Sequence, residues 1–82
     1  MKVELKLFAT LMPYLPPGAK KNAVTVEVEP GCTMNQLISR YRVPREEVHL
    51  VLLNGHFVNE NGRGAPLREG DTLAIWPPVA GG

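Results

Sequence analysis

Three segments of the chain alternate apolar and polar residues, which is the pattern of a strand with one face in a core. The first runs from Lys2 to Phe8, the second from Val24 to Glu29, and the third from Thr72 to Trp76. In each segment, every second residue is apolar over most of the length. The pattern therefore predicts three strands that each turn one face towards a common core.

A fourth strand is predicted from Val48 to Leu53, where apolar residues at odd and even positions indicate a central strand that is covered over most of its length. Asn54-Gly55 follows, the strongest short signal for a β-hairpin, so His56 to Val58 is predicted as a short returning strand. Prolines between Pro13 and Pro17, and the polar segment Asn59 to Pro66, predict loops.

One helix is predicted after Pro30-Gly31. Thr33 and Gln36 have the spacing of a capping box, in which each side chain binds a backbone N–H at the helix start. Four apolar residues then recur at helical spacing, and Pro44 ends the helix. This apolar stripe consists of Met34, Leu37, Ile38 and Tyr41.

One helix with one apolar stripe can cover only one face of a sheet, which predicts a two-layer α+β domain. We expect residues 1–76 to form this domain and residues 77–82 to form a flexible C-terminal tail. The residues predicted to be buried are Leu5, Leu7, Val26, Leu37, Ile38, Leu52 and Ile75.

Composition excludes several kinds of partner. Nine Lys and Arg residues against eight Asp and Glu residues give no basic surface for nucleic acid or an anionic membrane. No apolar run could span a bilayer, and the N-terminus lacks the pattern of a signal peptide. The single cysteine cannot form an internal disulfide, which fits the reducing cytoplasm.

Three aromatic residues do not follow the core pattern of their strands. Phe8 and Trp76 face opposite to the apolar residues of the first and last strands, and Phe57 lies on the short strand. Large aromatic residues on a face that no helix covers are typical of a partner-binding surface. The alternative is a bent sheet edge, at which loop residues Leu11, Tyr14 or Leu15 fold over these rings.

No constellation of catalytic residues is apparent. His49 and His56 have no nucleophile or carboxylate beside them, and Cys32 is more simply a small buried residue than a reactive thiol. The sequence also has no metal-ligand spacing and no phosphate-binding loop. We therefore predict a protein that is not itself an enzyme and that binds no cofactor or metal.

The C-terminal segment carries the most specific chemistry. Pro77-Pro78 ends the last strand, and Gly81-Gly82 places an α-carboxylate on backbone without side chains, which can enter a narrow passage. Such an end suits a protein whose terminal carboxyl reacts in a partner's active site. The alternative is an ordinary frayed terminus.

Taken with the helix and turns, this segment resembles the MoaD/ThiS family of sulfur carriers, and most of all the small subunit of molybdopterin synthase. The resemblance covers essentially the whole chain. The segments that carry it are Leu7-Phe8-Ala9, Pro30-Gly31-Cys32-Thr33, Leu53-Asn54-Gly55, Leu67-Arg68-Glu69-Gly70-Asp71 and Pro77-Pro78-Val79-Ala80-Gly81-Gly82.

The resemblance implies a ubiquitin-like β-grasp fold, with a mixed sheet of four to five strands, its first and last strands adjacent, and one main helix on one face. It implies that Gly82 is adenylated and converted to a thiocarboxylate. Gly81 would enter the partner's narrow passage with it, where a Cβ at either position could clash. Phe8, Phe57 and Trp76 would contact two partners. These are a ubiquitin-activating-enzyme-like adenylyltransferase, which uses ATP and magnesium, and the large catalytic subunit of molybdopterin synthase.

Four functions remain open at this point. The first is sulfur donation in molybdenum- or tungsten-cofactor synthesis, and the second is sulfur donation to the thiazole of thiamine. The third is a ubiquitin-like modifier joined to lysines through Gly82, and the fourth is an interaction module with an inert tail. Two segments differ in apparent length from the molybdopterin subunit pattern, Val43 to Glu47 and Asn59 to Pro66, and both vary among thiamine-pathway carriers.

Overall fold

The computed structural model describes residues 1–79 and contains a five-stranded mixed sheet with one α-helix on one face. Three short 3-10 helices lie in the connections. The strands are β1 (Lys2–Leu7), β2 (Ala23–Glu27), β3 (Leu50–Leu53), β4 (His56–Phe57) and β5 (Thr72–Trp76). The helices are α1 (Met34–Arg40), η1 (Ala9–Tyr14), η2 (Arg45–Glu47) and η3 (Glu60–Gly64).

The strand order across the sheet is β2-β1-β5-β3-β4, which places the first and last strands side by side. β1 and β5 are parallel, with Leu7 opposite Ile75, and every other pairing is antiparallel. The predicted α+β fold and the adjacency of the terminal strands are both confirmed.

The helix begins where the capping box predicts. The Thr33 hydroxyl accepts a hydrogen bond from the Gln36 backbone N–H at 3.1 Å, and the Gln36 side chain accepts one from the Thr33 N–H at 2.9 Å. Tyr41 is the C-cap and is half-buried, while the three other residues of the stripe are buried. Among residues 1–79, no helix is long and apolar enough to cross a membrane.

The core lies between α1 and the sheet face made by alternate residues of β1 and β5. Six of the seven residues predicted to be buried are buried, but Leu52 is not. Its neighbour Val51 is opposite Ile75 and faces the core, so Leu52 points to the other face, where it pairs with Ala74. The prediction was wrong because β3 is apolar at both alternating positions, so its sequence does not show which face is covered.

A hydrogen-bonded clasp fixes the start of β5. Asn54 donates through its side-chain amide to Asp71 at 2.8 Å and accepts from the Thr72 N–H at 2.8 Å. Asp71 also accepts from the Arg68 N–H at 2.8 Å. Asn54 and Gly55 both have positive φ, as the predicted tight hairpin requires. Two segments of the family resemblance therefore meet here in a structural role, at the end of β5 opposite Trp76.

Two segments predicted as loops contain regular structure. Residues Ala9–Tyr14 form the 3-10 helix η1 despite Pro13, and Glu60–Gly64 form η3. Leu11 of η1 is fully buried in the core. The sequence interpretation missed both because such short helices carry no 3.6-residue periodicity.

Replacing Leu37 with alanine is expected to lower the free energy of unfolding by about 2–5 kcal/mol, the range for large-to-small changes at buried sites. Leu37 is fully buried at the centre of the α1 stripe, so its loss leaves a cavity under the sheet. Denaturant unfolding measures the change.

Ser39→Ala is the matched control because Ser39 is an exposed residue of the same helix. We expect its effect to stay within about 0.5 kcal/mol. A cost below about 1 kcal/mol for Leu37→Ala would contradict the assigned packing of α1.

Candidate functional site

The three aromatic residues singled out in the sequence all lie on the sheet face that α1 does not cover. Residues directly opposite one another on paired strands face the same side of a sheet. Trp76 is opposite Leu50, and Leu52 is opposite both Ala74 and Phe57, so these residues share one face. Leu73 and Ile75 of β5 are buried on the opposite face.

Phe8 and Trp76 form a stacked pair at the edge where β1 and β5 end. Their ring centroids are 4.0 Å apart and their planes differ by 7°. The pairing of β1 with β5 continues to this point, because the Phe8 N–H donates to the Ile75 carbonyl at 3.1 Å. Both residues are half-buried, so the pair presents apolar surface to the outside.

We call Phe8, Leu50, Leu52, Phe57 and Trp76 together the helix-free patch. Phe57 is 65% exposed, which is unusual for a phenylalanine, and the two leucines are half-buried. The patch extends from Phe8, just after β1, across the neighbouring strands β5, β3 and β4. The sequence prediction missed both leucines, although their position two residues apart in β3 was the signal that they share a face.

The residues proposed as a cover for these rings pack elsewhere. Leu11 belongs to the core cluster, and Tyr14 and Leu15 pack against that cluster. Phe8 and Trp76 are not part of it. The arrangement therefore favours an open apolar surface over a bent, covered sheet edge.

The chain leaves the sheet directly after Trp76. The Trp76 carbonyl accepts a hydrogen bond from the His49 N–H at 3.0 Å, and Pro77, which has no N–H, follows. Val79 is 81% exposed. The predicted site at Gly82 and its neighbour Gly81 lie outside the described residues.

Cys32 is a structural residue. Its side chain is fully buried in the core, and burial raises the pKa of its thiol, which disfavours the reactive thiolate. His49, which directly precedes β3, and His56 of β4 are both exposed. Within residues 1–79, the acidic, histidine and cysteine side chains form no group able to hold a metal ion.

The described residues thus bring together one exposed apolar surface on the helix-free face of the sheet. Most of this patch lies on paired strands, and Trp76 of its stacked aromatic pair directly precedes Pro77.

Similar proteins of known structure share this architecture. SAMP1 from Haloferax volcanii is 27% identical, with full coverage of both chains (100% and 100%) and a TM-score of 0.69. Subunit 1 of molybdopterin-converting factor from Helicobacter pylori, solved as a complex of subunits 1 and 2, supplies a match at 22% identity, 100% coverage of both chains and a TM-score of 0.61.

A third similar structure is the thiamine biosynthesis protein ThiS from Geobacter metallireducens. It is 19% identical, with 96% of this chain and 99% of that chain covered and a TM-score of 0.59. Comparison with curated protein sequences gives no significant match.

The model of the ThiS family matches residues 5–82, which is nearly the whole chain. The match includes β5, Pro77-Pro78 and both terminal glycines. The chain therefore belongs to the ThiS family of small, ubiquitin-like sulfur carriers and modifiers.

Proposed function

We propose that this protein is a sulfur carrier in molybdopterin synthesis, the route to molybdenum or tungsten cofactor, and that Gly82 carries the sulfur as a thiocarboxylate. The observation that carries the proposal is the family match through Gly82, on a chain whose apolar patch ends at the root of the tail. The buried, unpaired thiol of Cys32 fits a cytoplasmic protein.

The chemistry follows from the terminal carboxyl group. At pH 7 this group is ionised and has no leaving group, so a sulfur nucleophile cannot displace its oxygen. An adenylyltransferase partner transfers AMP from ATP, with magnesium, to the Gly82 carboxylate and releases pyrophosphate. Hydrosulfide then attacks the acyl carbon, AMP departs, and the carboxylate has become a thiocarboxylate.

This chain contributes recognition and reach to that sequence of steps. The helix-free patch is the surface that we expect the adenylyltransferase and the large synthase subunit to bind in turn. The Helicobacter pylori relative, which was solved with its second subunit, supports a two-subunit arrangement of this kind. The thiocarboxylate sulfur then replaces an oxygen substituent on a pterin precursor, and water cleaves the bond between the sulfur and the acyl carbon. The sulfur stays on the precursor, the Gly82 carboxylate returns, and the carrier can be charged again.

A second candidate function is conjugation to other proteins. The similarity to SAMP1 at 27% identity favours it, because the small archaeal modifier proteins are named for that role. In that case a lysine amine would attack the adenylated or thioesterified Gly82, and an isopeptide bond would form in place of a thiocarboxylate.

Intact-mass spectrometry distinguishes the two functions. The purified chain is incubated with ATP, magnesium, its adenylyltransferase and sulfide, and we expect its mass to change by one sulfur minus one oxygen. Omission of ATP is the control and should leave the mass unchanged. Addition of the chain to lysines of other proteins, without that mass change, would instead identify a modifier.

The pathway is assigned in a second step with the charged carrier. We expect sulfur to pass to a pterin precursor when the large synthase subunit is added. Transfer only to a thiazole product, in the presence of the enzyme that makes that ring, would replace the molybdopterin assignment with the thiamine pathway.

A further inference from the structure

A small cavity lies on the helix side of the sheet, between α1, η2 and η3. Its volume is about 110 Å³, which is room for a group of several heavy atoms, because a single water needs about 10–15 Å³. One part of its lining is apolar, formed by Ile38, Val43 and Val48. The helix-free patch lies on the other side of the sheet, so nothing in the proposed function uses this cavity.

Arg63 of η3 lines the cavity and is the only buried charged residue in the described part of the chain. Its side chain makes one long hydrogen bond, from Nη2 to the His49 carbonyl at 3.4 Å. Its Nε is buried and has no acceptor among residues 1–79. Two ion pairs occur in those residues, and neither involves Arg63.

A buried guanidinium with one long hydrogen bond and no ion pair is unfavourable, because burial removes part of the water that would otherwise satisfy its N–H donors. Arg45 and Glu60 also line the cavity and have opposite charges, so Arg63 gives the lining a net positive charge. An anion in the cavity would balance this charge and accept hydrogen bonds from the Nη groups of Arg63, because Nε itself is enclosed beyond the reach of a ligand.

We propose that this cavity binds a small organic carboxylate. The planar carboxylate matches the fork of N–H donors that a guanidinium presents. The short carbon chain of such a molecule would contact Ile38, Val43 and Val48, which an inorganic anion cannot exploit. The ligand class therefore combines one carboxylate with a few carbon atoms, as in propionate or butyrate.

The test uses the full chain and propionate as the probe, with chloride keeping the ionic strength constant. We expect the Arg63 Nε–Hε NMR resonance to shift and to saturate as propionate is added. The melting temperature should rise in parallel, because a ligand that binds the native state stabilises it. Inorganic phosphate should need a higher concentration for the same occupancy.

Arg63→Met retains length and removes the charge, and Arg68→Met is the matched control at an exposed arginine outside the cavity lining. The first should weaken propionate binding by about tenfold to a hundredfold, the equivalent of one lost charged hydrogen bond. The control should bind as the wild type does.

Three results would overturn the proposal. One is an Arg63 resonance shift that rises linearly with propionate concentration and does not saturate. This result is measured on the wild-type protein, so it does not depend on whether Arg63→Met folds. Another is equal loss of binding in Arg68→Met, which would indicate a general charge effect. The third is tighter binding of phosphate than of propionate, which would exclude a carboxylate ligand.

Discussion

Deletion of Gly82 is expected to abolish formation of the thiocarboxylate while leaving thermal unfolding nearly unchanged. The terminal carboxyl is the acyl group that AMP activates, so a chain ending at Gly81 would present its carboxyl one residue short of the reacting position. The deletion should not change the stability of the fold, because the last strand ends at Trp76 and the last buried core residue is Ile75.

Extension by one alanine after Gly82 should have the same effect as the deletion. It moves the carboxyl beyond the reacting position and adds a Cβ, which glycine lacks, to the segment that must enter the partner's passage. The measurement is intact mass after incubation with ATP, magnesium, the adenylyltransferase and sulfide, with the melting temperature recorded for each variant.

Val79→Ala is the matched control in the same segment. Val79 is 81% exposed and lies three residues before Gly82, so this variant tests whether any change in the tail disturbs charging. We expect it to be thiolated at close to the wild-type rate. A chain extended beyond Gly82 that is still thiolated at the full rate would contradict the assignment of Gly82.

Local signals in the sequence were sufficient for most of the fold. β1 alternates strictly, and Thr33 with Gln36 forms the predicted capping box. Asn54-Gly55 forms the predicted turn with positive φ at both residues. In these cases the preference of a few neighbouring residues agrees with their tertiary surroundings, which is where prediction from sequence succeeds.

The errors occurred where tertiary context decides. Because β3 is apolar at both alternating positions, its sequence does not determine which face of the sheet Leu52 occupies. The pairing of β3 with β5 determines it. η1 forms around Pro13 because a 3-10 helix needs only bonds between residues three apart. The hydrogen bonds from Leu11 to Phe8 and from Leu15 to Met12, each 3.0 Å, form that helix without a donor at Pro13.

The candidate site was predictable in part for the same reasons. The positions of Phe8 and Trp76 in the alternating pattern of their strands predict which face of the sheet they occupy. Their direct stacking, however, depends on the parallel pairing of strands that are far apart in the sequence. Arg63 carried no signal, because an arginine between Gly62 and Gly64 is usually solvated. Its burial follows only from the packing of η3 against α1.

Replacement of Trp76 with alanine is expected to weaken binding to the adenylyltransferase or to the large synthase subunit by about thirtyfold, which corresponds to about 2 kcal/mol for an aromatic anchor at an interface. Trp76 ends β5 beside the tail, so a partner that grips this ring also positions Gly82. Titration of each partner by calorimetry measures the change.

Stability has to be measured beside binding because Trp76 also contacts its own chain. Its stacking on Phe8 contributes about 0.5–1.5 kcal/mol beyond buried area, so Trp76→Ala is expected to lower the melting temperature modestly. Phe57→Ala separates the two effects. Phe57 is 65% exposed, so its loss should weaken partner binding with almost no change in stability.

Thr25→Ala provides the control on the same sheet face. Thr25 is exposed on the edge strand β2, opposite Glu4, and lies outside the helix-free patch, so we expect its partner affinity to match that of the wild type. A partner-binding patch requires Phe57→Ala and Trp76→Ala to lose affinity while Thr25→Ala does not. If Trp76→Ala lowers only the melting temperature and Phe57→Ala leaves the affinity intact, the rings serve the fold and the partner binds elsewhere.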